Sequence, residues 1–228
     1  MSKLMEMLNR DGFFSKNTKK EIVVFLGSSV LFIVLPIIIL LVIPEKPQGE
    51  EGIEQCIENG DFVEARKMLA QLKEKADSSS SNFLYSKKEG QLNQEKYNRC
   101  KEKVSKAQIA SLVDNGDFAT AQDVALEDHN YDYYLDSFLG KLISLYNKFG
   151  IEKVYEGLAQ IKMPNNYYYY NKTVEQLNNA IEGLAMVLVD TNKVDAKRLC
   201  SLLKPTKDNN DKKDYKEVEA IKKRIGIK

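Results

Sequence analysis

The chain holds a single histidine, His129, and three cysteines, Cys56, Cys100 and Cys200, so little of it can do acid–base, thiol or metal chemistry. His129 sits in Asp128-His129-Asn130, a polar triplet that reads as a loop, and we read its imidazole as a solvated side chain rather than a general base. The cysteines are widely spaced and odd in number, with no CxxC and no Cys/His zinc spacing. Each falls in a helical apolar pattern, which reads as three small buried hydrophobes; one disulfide with a spare thiol is the alternative. Asp208-Asn209-Asn210-Asp211 offers oxygen ligands but lacks the glycine and distal glutamate of an EF-hand loop, so it reads as a turn. Asn171-Lys172-Thr173 matches a glycosylation sequon, which matters only if the source is eukaryotic. No phosphate loop, HExxH or GxSxG occurs. No catalytic set, metal site or cofactor is expected, and the chain reads as a non-enzyme.

Tyrosine is the one unusual usage. Tyr131, Tyr133 and Tyr134 form one cluster and Tyr167, Tyr168, Tyr169 and Tyr170 another. Four consecutive tyrosines on a helix point to all sides, so one or two must meet solvent or a partner. Tyrosine gives a large contact area at low entropic cost, which suits recognition. Two readings stay open: Tyr134 and Tyr170 fill a seam between helices while the others shield loops, or Tyr133, Tyr167, Tyr168 and Tyr169 form a partner-binding patch.

The elements that must position these residues begin with an apolar run. Ile22 to Ile43 carries no charge, and as a helix its 22 residues reach ~33 Å, enough for a ~30 Å hydrocarbon core. Leu31 lies within it, and Pro36 is tolerated there as a kink. We expect a transmembrane helix whose partner is the lipid bilayer. Lys3, Arg10, Lys16, Lys19 and Lys20 precede the run, whereas Glu45, Glu50, Glu51 and Glu54 follow it with only Lys46. That asymmetry predicts a cytoplasmic N-terminal tail over 1–21 and the remainder outside the cytoplasm, with residues 44–52 as a linker. Residues 44–228 hold 29 Lys and Arg against 30 Asp and Glu, a balance that argues against a nucleic-acid surface.

Beyond the linker the chain repeats itself. NGDFVEA (Asn59 to Ala65) returns as NGDFATA (Asn115 to Ala121), with weaker echoes at Phe149 to Lys162 and Asp190 to Leu199. Gly60 and Gly116 can take the positive φ that ends one helix, and Asp61 and Asp117 can cap the next. Phe62, Ala65, Leu69, Leu72 and Ala76 then fall on one helical face, as do Phe118, Ala121 and Ala125. Alanine at a fixed position (Ala65, Ala121, Ala196) permits close helix approach. Leu135, Phe138, Leu142, Leu145 and Phe149 make a further stripe, read as one helix, and Tyr170 to Leu188 another. No segment alternates long enough for a convincing strand. Loops are expected at Ser78 to Asn82, Asp128 to Asn130, Met163 to Asn166 and Lys204 to Asp211, with a capping helix over about Lys212 to Ile225.

The Gly-Asp-Phe-x-x-Ala unit of NGDFVEARKML and NGDFATAQDVA resembles the turn and second helix of tetratricopeptide-like repeats. Their 34-residue period and Trp-Leu-Gly-Tyr signature are absent, and there is no tryptophan. The resemblance implies a stack of antiparallel helix hairpins, and such stacks display concave protein-binding surfaces. The expected fold class is therefore all-α: one N-terminal transmembrane helix, a tetratricopeptide-like helical-repeat domain over 53–204 and a capping segment over 205–228. The expected function is a scaffold that binds a protein or peptide partner outside the cytoplasm. The alternatives are a chaperone-like accessory of an export or envelope-assembly complex, or a surface protein that binds a carbohydrate or other ligand through its tyrosines.

Overall fold

The computed structural model describes residues 48–81, 87–208 and 210–227. Nine helices lie among them: α1 Gly49–Glu58, α2 Phe62–Ser81, α3 Lys87–Asp114, α4 Phe118–Glu127, α5 Tyr131–Leu139, α6 Leu142–Ala159, α7 Tyr167–Leu188, α8 Lys193–Cys200 and α9 Lys216–Ile225. Two-residue strands, β1 Thr206–Lys207 and β2 Lys213–Asp214, pair antiparallel ahead of α9. The all-α part of the expected fold class holds, and the membrane-crossing part is corrected. Among the described residues no helix is long and apolar enough to cross a membrane. The run with Ile22, Leu31, Pro36 and Ile43 lies outside them. The physical reason is plain in the long helices: α3 has 28 residues but carries charges along its length, and α7 holds Lys172, Glu175 and Glu182 among its apolar residues.

One turn geometry recurs. Gly60 has φ 72°, its N–H donates to Ile57 O at 3.0 Å, and the N–H of Asp61 reaches Cys56 O at 2.8 Å. The Asp61 carboxylate then accepts from Glu64 N at 3.1 Å. Gly116 (φ 76°) and Asp117 repeat this, with Asp117 N–H on Leu112 O at 2.9 Å and the carboxylate accepting from Thr120 N at 3.3 Å. Asn192 caps α8 in the same register, accepting from Asp195 N at 3.2 Å. Four residues past each cap stand Ala65, Ala121 and Ala196, all fully buried. Gly150 (φ 77°, ψ 178°) breaks α6 in the same way, but Ile151 follows where the other turns have a capping Asp or Asn.

Side-chain rungs give the stacking. Glu50–Arg99 and Glu54–Lys103 join α1 to α3, Asp132–Lys172 and Asp136–Gln176 join α5 to α7, and Glu152–Arg198 joins α6 to α8. Within each of the two double rungs the numbers rise together, so α1 runs parallel to α3 and α5 to α7. Residues 107–140 hold seven acids and no Lys or Arg. Their cations come from outside that stretch: Lys141 on Asp114 at 2.6 Å, Lys162 on Asp123 at 2.9 Å and Arg66 on Asp128 at 2.7 Å. The exposed pairs, Lys141–Asp114 and Lys162–Asp123, add little stability.

Two apolar cores form. The smaller gathers Ile53, Ala65, Leu69, Cys100 and Val104; the larger runs from Ile109 to Ile227 and centres on Phe118, Tyr134, Phe138, Leu177 and Ile181. Helix α3 passes through both. At the seam Ser105 is fully buried, and its hydroxyl accepts from Asn130 Nδ2 at 2.8 Å.

The boundaries differ from expectation in four places. Helix α1 starts at Gly49, inside the expected linker. Helix α2 continues to Ser81, with the Ser78 hydroxyl donating back to Lys75 O at 3.1 Å instead of opening a loop. The stripe from Leu135 to Phe149 is divided at Gly140 and Lys141, so α5 and α6 are separate. The cap helix begins at Lys216 because β2 occupies the start of its expected range. Cys100 and Cys200 are buried but Cys56 is only half-buried, and all three thiols are free.

Candidate functional site

The second tyrosine cluster opens α7. Asn166 caps the helix, its side-chain oxygen accepting from Tyr168 N at 3.0 Å and Tyr169 N at 3.4 Å. From there successive residues turn by about 100°, which splits the cluster. Tyr170 is the half-buried member: its hydroxyl donates to Pro205 O at 3.4 Å, and the Lys207 ammonium lies 4.5 Å from its ring centre. Tyr167, Tyr168 and Tyr169 are 42%, 68% and 53% exposed, although a bare apolar-faced ring favours burial. Tyr168 and Tyr169 meet edge to face at 5.5 Å.

The first cluster divides likewise. Tyr134 is buried and stacks on Phe138 at 5.9 Å, and burial raises its phenol pKa strongly. Tyr131 is half-buried; its hydroxyl donates to Lys162 O at 2.5 Å and to Gln122 Oε1 at 3.3 Å, and burial pushes its pKa up to about 12. Tyr133 is half-buried against the larger core, with the Lys106 ammonium 5.5 Å from its ring centre.

Folding brings Tyr133 and Tyr169 to one groove of about 670 Å³, with Lys106, Leu126 and His129 on its walls. Tyr167 and Tyr168 line a second groove of about 570 Å³ with Lys172, Thr206, Lys207 and Glu217. Tyr169 thus lines the first groove with Tyr133, and its neighbours Tyr167 and Tyr168 line the second. The three lysines along them are engaged within the protein: Lys172 on Asp132 at 2.9 Å, Lys106 on Glu102 at 2.5 Å, Lys207 on Asp211 at 3.2 Å. Gly60, Asp61, Phe62, Ala65, Gly116, Asp117, Phe118 and Ala121 do not reach these grooves; they form turns and core.

Sequence reasoning missed a set of polar clasps. Asn178, fully buried, donates from Nδ2 to Lys204 O at 2.8 Å and accepts from Lys204 N at 2.9 Å. Asn171 holds Lys207 in the same two-ended way, at 2.9 Å for both bonds. Gln122, also buried, grips Gln160 O at 3.1 Å and Lys162 N at 2.8 Å. The signal was there: Asn178 and Gln122 are amides inside otherwise apolar stripes. The clasp also bears on the sequon, since both ends of the Asn171 amide are engaged and Thr173 is buried.

Asp128 was likewise passed over. Its side chain is 5% exposed and takes Arg66 at 2.7 Å and Lys101 at 3.7 Å, tying α2 and α3 to the end of α4. His129 beside it is exposed with φ 62°, a left-handed conformation unusual for a non-glycine residue. Among the described residues no three His, Cys, Asp or Glu side chains cluster as a metal site. Burial raises the thiol pKa of Cys100 and of Cys200, which keeps them protonated and inert.

No family model, no curated protein and no solved structure matches this chain. The likeness to tetratricopeptide-like repeats therefore rests on the residues of its turns alone.

Proposed function

We propose that the described domain is a non-enzymatic protein-binding scaffold whose contact surface is the tyrosine edge of Tyr133, Tyr167, Tyr168 and Tyr169. One observation carries the reading: three consecutive tyrosines stand exposed at the start of a well-capped helix, where the fold had Tyr134 and Tyr170 to fill its seams. Rigid aromatic groups on a capped helix lose little entropy on binding. The tetratricopeptide-like layout and an address outside the cytoplasm, read from the charges of residues 1–54, belong to the same proposal.

The test is site-specific cross-linking in cells. A photoreactive phenylalanine analogue at position 168 should capture a discrete protein, and the same group at exposed Lys153 should not. Capture that is equal at both positions, or absent at 168, rejects the tyrosine edge as the contact surface.

A further inference from the structure

We infer that the groove between Tyr133 and Tyr169 takes an extended, uncharged, proline-bearing segment of a protein partner. This rests on the reading of the tyrosine edge as a contact surface and names what that edge contacts.

The lining excludes a charged ligand first. Lys106 is committed to Glu102 and Asp132 to Lys172, so the groove carries no unpaired charge to steer an acidic or basic chain. What remains is two aromatic rings, the exposed side of Leu126, phenolic hydroxyls and the His129 imidazole. One N–H of the Asn130 amide in the lining is already donating to Ser105. Apolar rings flanked by hydrogen-bond donors match a polyproline-type chain, which has no internal hydrogen bonds and turns its carbonyls outward.

The protein itself supplies an instance on the neighbouring side of the same helix. Lys204 to Lys207 lies along α7 with Pro205 at its centre, clasped at Lys204 by Asn178 and at Lys207 by Asn171. Residues seven apart on a helix are separated by about 10.5 Å, and three residues of extended or polyproline chain span about 9–10 Å. The two periods agree, which is why two asparagines can read one peptide at both ends. Tyr170 completes the contact by donating to the proline carbonyl. Tyr169, next in sequence, offers the same ring and hydroxyl to the open groove, with Tyr133 as the opposite wall.

The full chain, isotope-labelled on tyrosine, is titrated with synthetic dodecapeptides: one neutral and proline-rich, one with alanine for every proline, one acidic, and a neutral oligosaccharide in parallel. The proline-rich peptide should shift Tyr133 and Tyr169 saturably and bind about tenfold more tightly than its alanine counterpart. Tyr169→Ala should weaken it about tenfold, and Tyr215→Ala, at another exposed tyrosine, should not. Equal binding of the alanine peptide, preference for the acidic peptide or the sugar, or an unaltered titration in Tyr169→Ala overturns the inference. Should the peptide fail while cross-linking at 168 still captures a protein, only the ligand class is wrong.

Discussion

Asn178 and Lys204 form a closed ring of two hydrogen bonds, 2.8 and 2.9 Å long, in which one buried amide satisfies both backbone groups of one residue. Removing the amide takes the partner from both backbone groups of half-buried Lys204 and leaves a cavity at a fully buried position. Asn178→Ala should therefore cost about 2–4 kcal/mol in urea unfolding, and Asn171→Ala, at a half-buried site, about 1 kcal/mol. Hydrogen exchange should show the Lys204 amide losing protection in the first variant and the Lys207 amide in the second. Loss of less than 0.5 kcal/mol from Asn178→Ala (roughly a surface substitution) would mean that water replaces the clasp.

Glycines on α6 and α7 separate a packing demand from a helix preference. A Cβ on Gly157 would lie 2.5 Å from Phe118 Cδ2 and 2.8 Å from Phe138 Cζ, whereas one on Gly183 meets nothing within 4 Å. Gly157→Ala should destabilise by about 1–3 kcal/mol through overpacking. Gly183→Ala should raise stability by about 0.5–1 kcal/mol. Thermal denaturation of the two variants checks the opposite signs.

Stability should fall at both ends of the pH scale for identifiable reasons. The unfolded chain ionises its phenols near pH 10, but Tyr131 keeps its proton to about 12, so its contribution is full below 10 and is lost as pH rises to 12. Tyr131→Phe should flatten that alkaline slope. At low pH the Arg224 guanidinium, bonded to Glu182 at 2.6 Å, holds that carboxyl below its ordinary value. Its contribution is present above about pH 4.5 and is lost as pH falls through the lowered value. Glu182→Gln should remove that part of the acid transition.

The left-handed His129 gives a test of whether strain there matters. With φ 62°, the position favours glycine, and His129→Gly should stabilise by about 0.5–1 kcal/mol if packing alone governs it. A stabilised variant that loses capture at position 168 would make the imidazole part of the contact surface.

The helices were legible because their apolar residues recur every three or four positions, and the turns because Gly-Asp-Phe is chemically specific. What stayed hidden depends on residues far apart in sequence. Asn178 meets Lys204 across 26 positions and Arg66 meets Asp128 across 62, and no local pattern encodes either. The division at Gly140 escaped notice because the stripe from Leu135 to Phe149 continues through it in phase. In the candidate site, the exposure of Tyr167 to Tyr169 was open from four consecutive tyrosines. The opposition of Tyr169 to Tyr133 needed the parallel register of α5 and α7, fixed by Asp132 and Lys172.

The division of the interior between two cores has a consequence for how the chain is made. As it leaves the ribosome, the residues of the small core are all present once Val104 has emerged, yet the carboxylate that locks Arg66 arrives 24 positions later, at Asp128. During that interval the first three helices must survive on five buried apolar residues, a meagre nucleus for independent folding. The newborn N-terminal part is thus a waiting partner, completed from downstream, and a pause in translation between these two points is where the nascent protein would be most vulnerable to proteolysis.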